Sequence, residues 1–146
     1  MKPIQRILLA TDFSAGAAAA ADVAAQLARQ LKASVDVATV VDTSPLAECY
    51  GDASYRMQRI GEIHSEARRN AEKFGAELVA GCEVRAHVRD GNTFLEILQA
   101  AQELGSDLIV MGTHGRTGLA HVLIGSIAEK VMRKSAIPVL TVRGPD

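Results

Sequence analysis

The chain has 146 residues, sixteen Lys and Arg against seventeen Asp and Glu, 48% hydrophobic residues and 23% charged ones. That length fits one domain burying about 70% of its unfolded surface, with no need of a metal or disulfide staple. A net charge of −1, aromatics at 3% and no tryptophan argue against a nucleic-acid partner, because neither a basic footprint nor a platform for stacking bases is present.

Ile4 to Ala10 reads as a short buried strand that stops at Thr11-Asp12. Ser14 is a candidate N-cap, and Ala15 to Leu31 carries apolar residues at helical spacing. Ala33 to Val41 is rich in β-branched residues and reads as strand two. Residues 42 to 53 form a loop longer than the usual two to six for such a connection. Ser54 to Leu78 keeps three-to-four apolar spacing and predicts a long amphipathic helix, with Arg68-Arg69 on its solvated face. Cys82 to Val88 is strand three, ended by Asp90-Gly91-Asn92. Thr93 to Glu96 matches a capping box, and the helix it opens closes at Gly105. Asp107 to Met111 is strand four, Ser126 to Ser135 helix four, and Ile137 to Val142 strand five.

Strict β-α alternation predicts an α/β fold with an open parallel sheet, helices on both faces and right-handed connections. Ligands of such sheets bind beyond the carboxyl ends of the strands, where the strand order reverses. Order 3-2-1-4-5 puts that crevice between Asp12 and Gly112, the two chemically richest strand ends. Order 2-1-3-4-5 would turn it toward Val88 to Gly91, which offers less.

Cys49 and Cys82 have neither CxxC nor Cys/His spacing, so zinc and disulfide frameworks are unsupported and a reducing cytoplasm fits. The apolar run before Thr11 is too short for a signal peptide, and no stretch approaches the ~20 apolar residues of a membrane helix. The expectation is a single cytoplasmic domain over residues 1–146, with no membrane or nucleic-acid partner.

Between strand four and helix four lies Met111-Gly112-Thr113-His114-Gly115-Arg116, continuing to Gly125-Ser126. Glycines there let a ligand approach the backbone, and a helix start offers free N–H groups to an anion. The loop is neither a Walker A sequence nor the G-x-G-x-x-G dinucleotide fingerprint. It is G-x-x-G, nine residues, then G-S: Gly112, Gly115, Gly125 and Ser126. With Thr11-Asp12-Phe13-Ser14, Val40-Val41-Asp42 and Ile137-Pro138-Val139-Leu140-Thr141-Val142, this resembles the universal stress protein family over the whole chain, specifically its ATP-binding branch.

The resemblance implies a Rossmann-like 3-2-1-4-5 sheet holding ATP, with Mg or Mn on the triphosphate, across the strand 1/strand 4 switch point. It implies that Asp12 and the backbone at Val40 hold the adenine and ribose, that Gly112 approaches the ribose, and that Gly115, Gly125 and Ser126 cradle the phosphates. The cofactor-binding set expected on that basis also takes in Ala10, Thr11, Met111, Thr113, Arg116 and Ile127. No catalytic residue and no protein metal cluster are assigned. Arg116 is the candidate for a γ-phosphate contact. Ser126 with Glu129 is itself a capping box, and Asp12 or Thr11 can serve simply to turn the chain.

A stress-response regulator with little or slow hydrolysis follows, since only Arg116 is placed to stabilise transition-state charge. The alternatives are a slow ATPase using Arg116 and a nucleotide-independent dimeric interaction protein. Strand five is an apolar edge without inward charge, so residues 137–142 are expected to form a homodimer contact.

Overall fold

The computed structural model describes residues 2–48, 51–115 and 123–145. Its elements run β1 (Arg6–Ala10), α1 (Ala15–Leu31), β2 (Ser34–Val41), α2 (Ala53–Leu78), β3 (Val84–Asp90), α3 (Thr93–Glu103), β4 (Leu108–Gly112), α4 (Ser126–Lys134) and β5 (Val139–Val142). All four strand pairings are parallel and the order is β3-β2-β1-β4-β5, as expected.

The central strands are apolar throughout because both of their faces are covered. Ile7, Leu9, Val35, Val37 and Val110 pack under α1 and α2, whereas Leu8, Ala10, Ala38, Ile109 and Met111 pack under α3 and α4. Six alanines of α1 are buried on the sheet, which lets the helix lie close with little loss of side-chain freedom. Helices after β1 and β4 therefore leave toward opposite faces, and a crevice opens between the two strand ends. Among the described residues no helix is long and apolar enough to cross a membrane.

Three local expectations need correction. Strand three runs two residues later than its alternation suggested, because Asp90 still pairs with Val41 and the chain turns only at Gly91, where φ is 146°. The 42–53 connection is not irregular throughout, since Ser44–Glu48 forms a 3-10 helix and Asp52 then caps α2 through the Tyr55 N–H. The cap of α3 is Asn92 rather than Thr93, and its side chain accepts from the Leu95 N–H. Glu96 fails to complete a capping box because its carboxylate is held by Arg89 at 2.9 Å.

Candidate functional site

The turn after β1 is closed by its own side chains. Thr11 Oγ1 accepts the Phe13 N–H at 3.0 Å, Asp12 Oδ1 accepts the Ser14 N–H at 3.0 Å, and Ser14 Oγ accepts the Ala17 N–H at 3.2 Å. Phe13 sits at φ 65°, an uncommon conformation for a bulky residue. Its ring packs edge-on against Phe74 of α2 at 5.6 Å between centroids, which helps to hold the strained turn. Asp12 thus serves the turn with one oxygen, while Oδ2 lies 2.5 Å from where a Cβ on Gly115 would stand. Glycine at 115 lets the β4 loop pass this close to the Asp12 carboxylate without displacing it.

Across the crevice, the Thr113 N–H donates to the Val142 carbonyl and the Gly125 N–H to the Thr113 carbonyl at 2.6 Å. This docks the start of α4 on the end of β4. Side chains cap α1 (Ser14), α2 (Asp52) and α3 (Asn92), but α4 begins at Gly125 with no side-chain cap. The capping-box reading of Ser126 is therefore wrong. Ser126 is the first helical residue, and Glu129 binds Arg133 at 2.7 Å instead of reaching back. The amides of Ser126, Ile127 and Ala128 are those a helix start leaves without intrahelical partners, and the helix dipole adds positive potential there.

These two structures wall a crevice of about 500 Å³, within the range of small-molecule sites. Every predicted site residue that the structure describes lines it: Ala10, Thr11 and Asp12 from the end of β1, Val40 from β2, and Met111, Gly112, Thr113 and Gly115 from β4 and its loop, with Gly125, Ser126 and Ile127 from the start of α4. Arg116 lies outside the described residues. The lining also takes in Ala17, Ala38, Thr93, Ile97, His114 and Ala128, which were not among the predicted site residues. Ala38 and Ala128 carry no chemical signal, and Thr93 and Ile97 are found only once α3 is laid over the sheet. Asp12 and His114 are the titratable side chains in the described lining, which contains no lysine or arginine. The Thr113 hydroxyl lies 3.0 Å from His114 Nδ1.

A family model described as the universal stress protein family matches residues 3–143. The chain belongs to the universal stress protein family. This universal stress protein is 34% identical to universal stress protein MJ0531 of Methanocaldococcus jannaschii over 97% of its own length and 83% of the relative's. Its fold matches that of MJ0577 from the same organism with a TM-score of 0.81 and 29% identity, over 99% of both chains. It also matches a universal stress protein solved in complex with cAMP, with a TM-score of 0.72 and 23% identity, over 99% of this chain and all of the other.

Proposed function

We propose that this universal stress protein is a stress-response regulator that binds an adenine nucleotide, ATP above all, in the β1/β4 crevice. The observation that carries the reading is the uncapped start of α4. Of the four α-helices among the described residues it alone lacks a side-chain cap bond, and its first-turn residues line the cavity that also holds Asp12. A helix start of this kind offers backbone N–H groups and positive potential to an anion. The nucleoside then lies toward Val40, Ala38 and Ile97, and the phosphates lie against Gly115, Gly125 and Ser126. That a relative of this fold was solved with cAMP is in keeping with the proposal, though at that identity it speaks for the fold alone.

Asp12 is the one carboxylate in the described lining. This fits an Mg or Mn ion carried mainly by the phosphates, since Mg ions keep water and phosphate ligands and take only one or two carboxylates. Phosphoryl transfer also needs cationic stabilisation of the transition state. Arg116, outside the described residues, is the residue to test for any turnover, and slow hydrolysis at most is part of the proposal. Titration calorimetry with ATP, ADP, AMP and GTP, with and without Mg, tests the proposal. Adenine nucleotides are expected to bind and GTP to bind less well; absence of heat with every adenine nucleotide overturns it.

The chain also pairs with a second copy through β5 on this reading. β5 is a sheet edge whose four residues are all only partly buried, and Pro138 before it lacks an N–H to offer. Light scattering at micromolar concentration is expected to give twice the chain mass, and a monomeric mass ends that part of the proposal.

A further inference from the structure

β3 contributes no residue to the described crevice lining, yet its last two residues hold both walls of the half assigned to the nucleoside. On one face of the sheet, Arg89 Nε donates to Glu96 Oε2 at 2.9 Å and Nη1 donates to Glu103 at 2.5 Å. Glu96 lies on the turn of α3 that carries Thr93 and Ile97, the side wall of the crevice. On the other face, Asp90 accepts the Thr43 N–H at 3.0 Å and the Thr43 hydroxyl at 2.6 Å, and His64 Nε2 of α2 lies 2.7 Å from Oδ2. The next residue, Gly91, donates its N–H to the Val41 carbonyl at 2.9 Å. The chain leaving Val40-Val41 and the middle of α2 therefore meet at one carboxylate, and the backbone bond of Gly91 ties the approach to α3 to the same strand end. Burial alone would raise the Asp90 carboxyl, but the hydroxyl and amide of Thr43 and the His64 ring together hold it below its ordinary value.

We propose that Arg89 and Asp90 are positioning residues for the nucleoside half of the crevice, a two-sided clamp that sets the separation of the Val40 wall from the Thr93–Ile97 wall without touching the ligand. This rests on the reading that the nucleoside lies between Val40 and Ile97. The phosphate half stands on other bonds, those of Thr113 to Val142 and of Gly125 to Thr113. The clamp therefore acts on one half of the ligand and not on the other, which a merely structural pair would not do.

The test is calorimetry on the full chain with two probes, adenosine and inorganic tripolyphosphate, for wild type, Thr43→Val, Thr43→Ser, Asp90→Asn and Arg89→Met. Thr43→Val keeps the shape and removes the hydroxyl that bonds Asp90. Adenosine binding is expected to weaken about tenfold or more in Thr43→Val, Asp90→Asn and Arg89→Met, the scale of a lost hydrogen bond to a charged group. Thr43→Ser is expected to return to within about twofold of wild type, and tripolyphosphate to change by no more than that in any variant. Equal loss on both probes, or no loss on adenosine, overturns the clamp. If Asp90→Asn or Arg89→Met fails to fold, the Thr43 pair decides alone. If the wild type binds ATP but the probes do not split, the clamp fails and the nucleotide reading stands; if the wild type binds neither probe nor ATP, both fall.

Discussion

Gly125→Ala places one methyl group at the junction on which the phosphate cradle depends. Its Cβ would stand 2.9 Å from the Thr113 carbonyl oxygen and 3.6 Å from the His114 Cα, closer to the oxygen than real Cβ atoms come. That same oxygen accepts the Gly125 N–H at 2.6 Å, so the start of α4 and the end of β4 cannot relieve the clash without weakening their bond. Overpacking of this kind costs about 1–3 kcal/mol, which for a domain of this size lowers Tm by roughly 3–12 °C. The Ser126, Ile127 and Ala128 amides move with the helix start. Misplacing one charge-assisted hydrogen bond is worth about 1.5–3 kcal/mol, so ATP affinity is expected to fall by about tenfold to a hundredfold. Titration calorimetry with ATP and Mg reads the affinity, and a thermal melt without nucleotide reads the fold. An ATP Kd within about twofold of wild type would refute the placement of phosphate at α4.

Three further outcomes follow from the same geometry. Gly61→Ala, inside α2 with nothing within 4 Å of the added carbon, is expected to stabilise the fold by about 0.5–1 kcal/mol and leave ATP binding unchanged, a control read in the same two assays. Asp36 is fully buried, with Arg85 Nε and His87 Nε2 at 3.0 and 2.8 Å from its Oδ1. Arg85→Ala leaves a buried carboxylate short of a partner and is expected to cost about 3 kcal/mol or more in urea unfolding. Asp36→Leu is expected to cost less, since the Arg85 and His87 side chains both reach solvent; the reverse ranking would contradict this expectation. Asp107 is held below its ordinary value of 3.8 by the Gln5 amide, against opposing burial and helped by the Arg6 amide and Lys2, and Asp90 is lowered likewise. Depressed carboxyls contribute stability that is present above the unfolded value and lost as pH falls through the folded one. Thermal melts are therefore expected to lose stability below about pH 4, with a shallower loss in Asp107→Asn; an identical slope in the variant would sink the assignment.

The sheet order was legible because strand ends differ in chemistry. Asp12 and the glycines beyond β4 had to meet at a switch point, and only β1 beside β4 allows that. The bounds of α1 were legible to the residue, since Ser14 marks its start; its buried face was not, because the small Ala17, Ala21 and Ala25 lie on the sheet while Leu31 is exposed. What escaped was competition between partners. Thr93-Glu96 and Ser126-Glu129 both have the form of a capping box, but Glu96 is drawn to Arg89 and Glu129 to Arg133. Those rival cations are set by tertiary position in the first case and by the next helical turn in the second. The anion-binding start of α4 was nonetheless legible in Gly125-Ser126; what the sequence left open was whether Ser126 caps that helix, and the helix begins instead at Gly125 with no side-chain cap bond. Ala38 and Ala128 escaped for the opposite reason, since small apolar residues declare a cavity floor only when the surrounding elements are in place.

The central claim, that the β1/β4 crevice holds an adenine nucleotide, is tested most directly by native mass spectrometry of freshly purified protein before and after addition of about 1 mM ATP with Mg. The expected result is one adenine nucleotide per chain, displaced or prevented by Gly125→Ala. Ligand-free masses under both conditions, with no rise in Tm on adding ATP where a Kd near 10 μM would give about 2.7 kcal/mol of stabilisation, would contradict it.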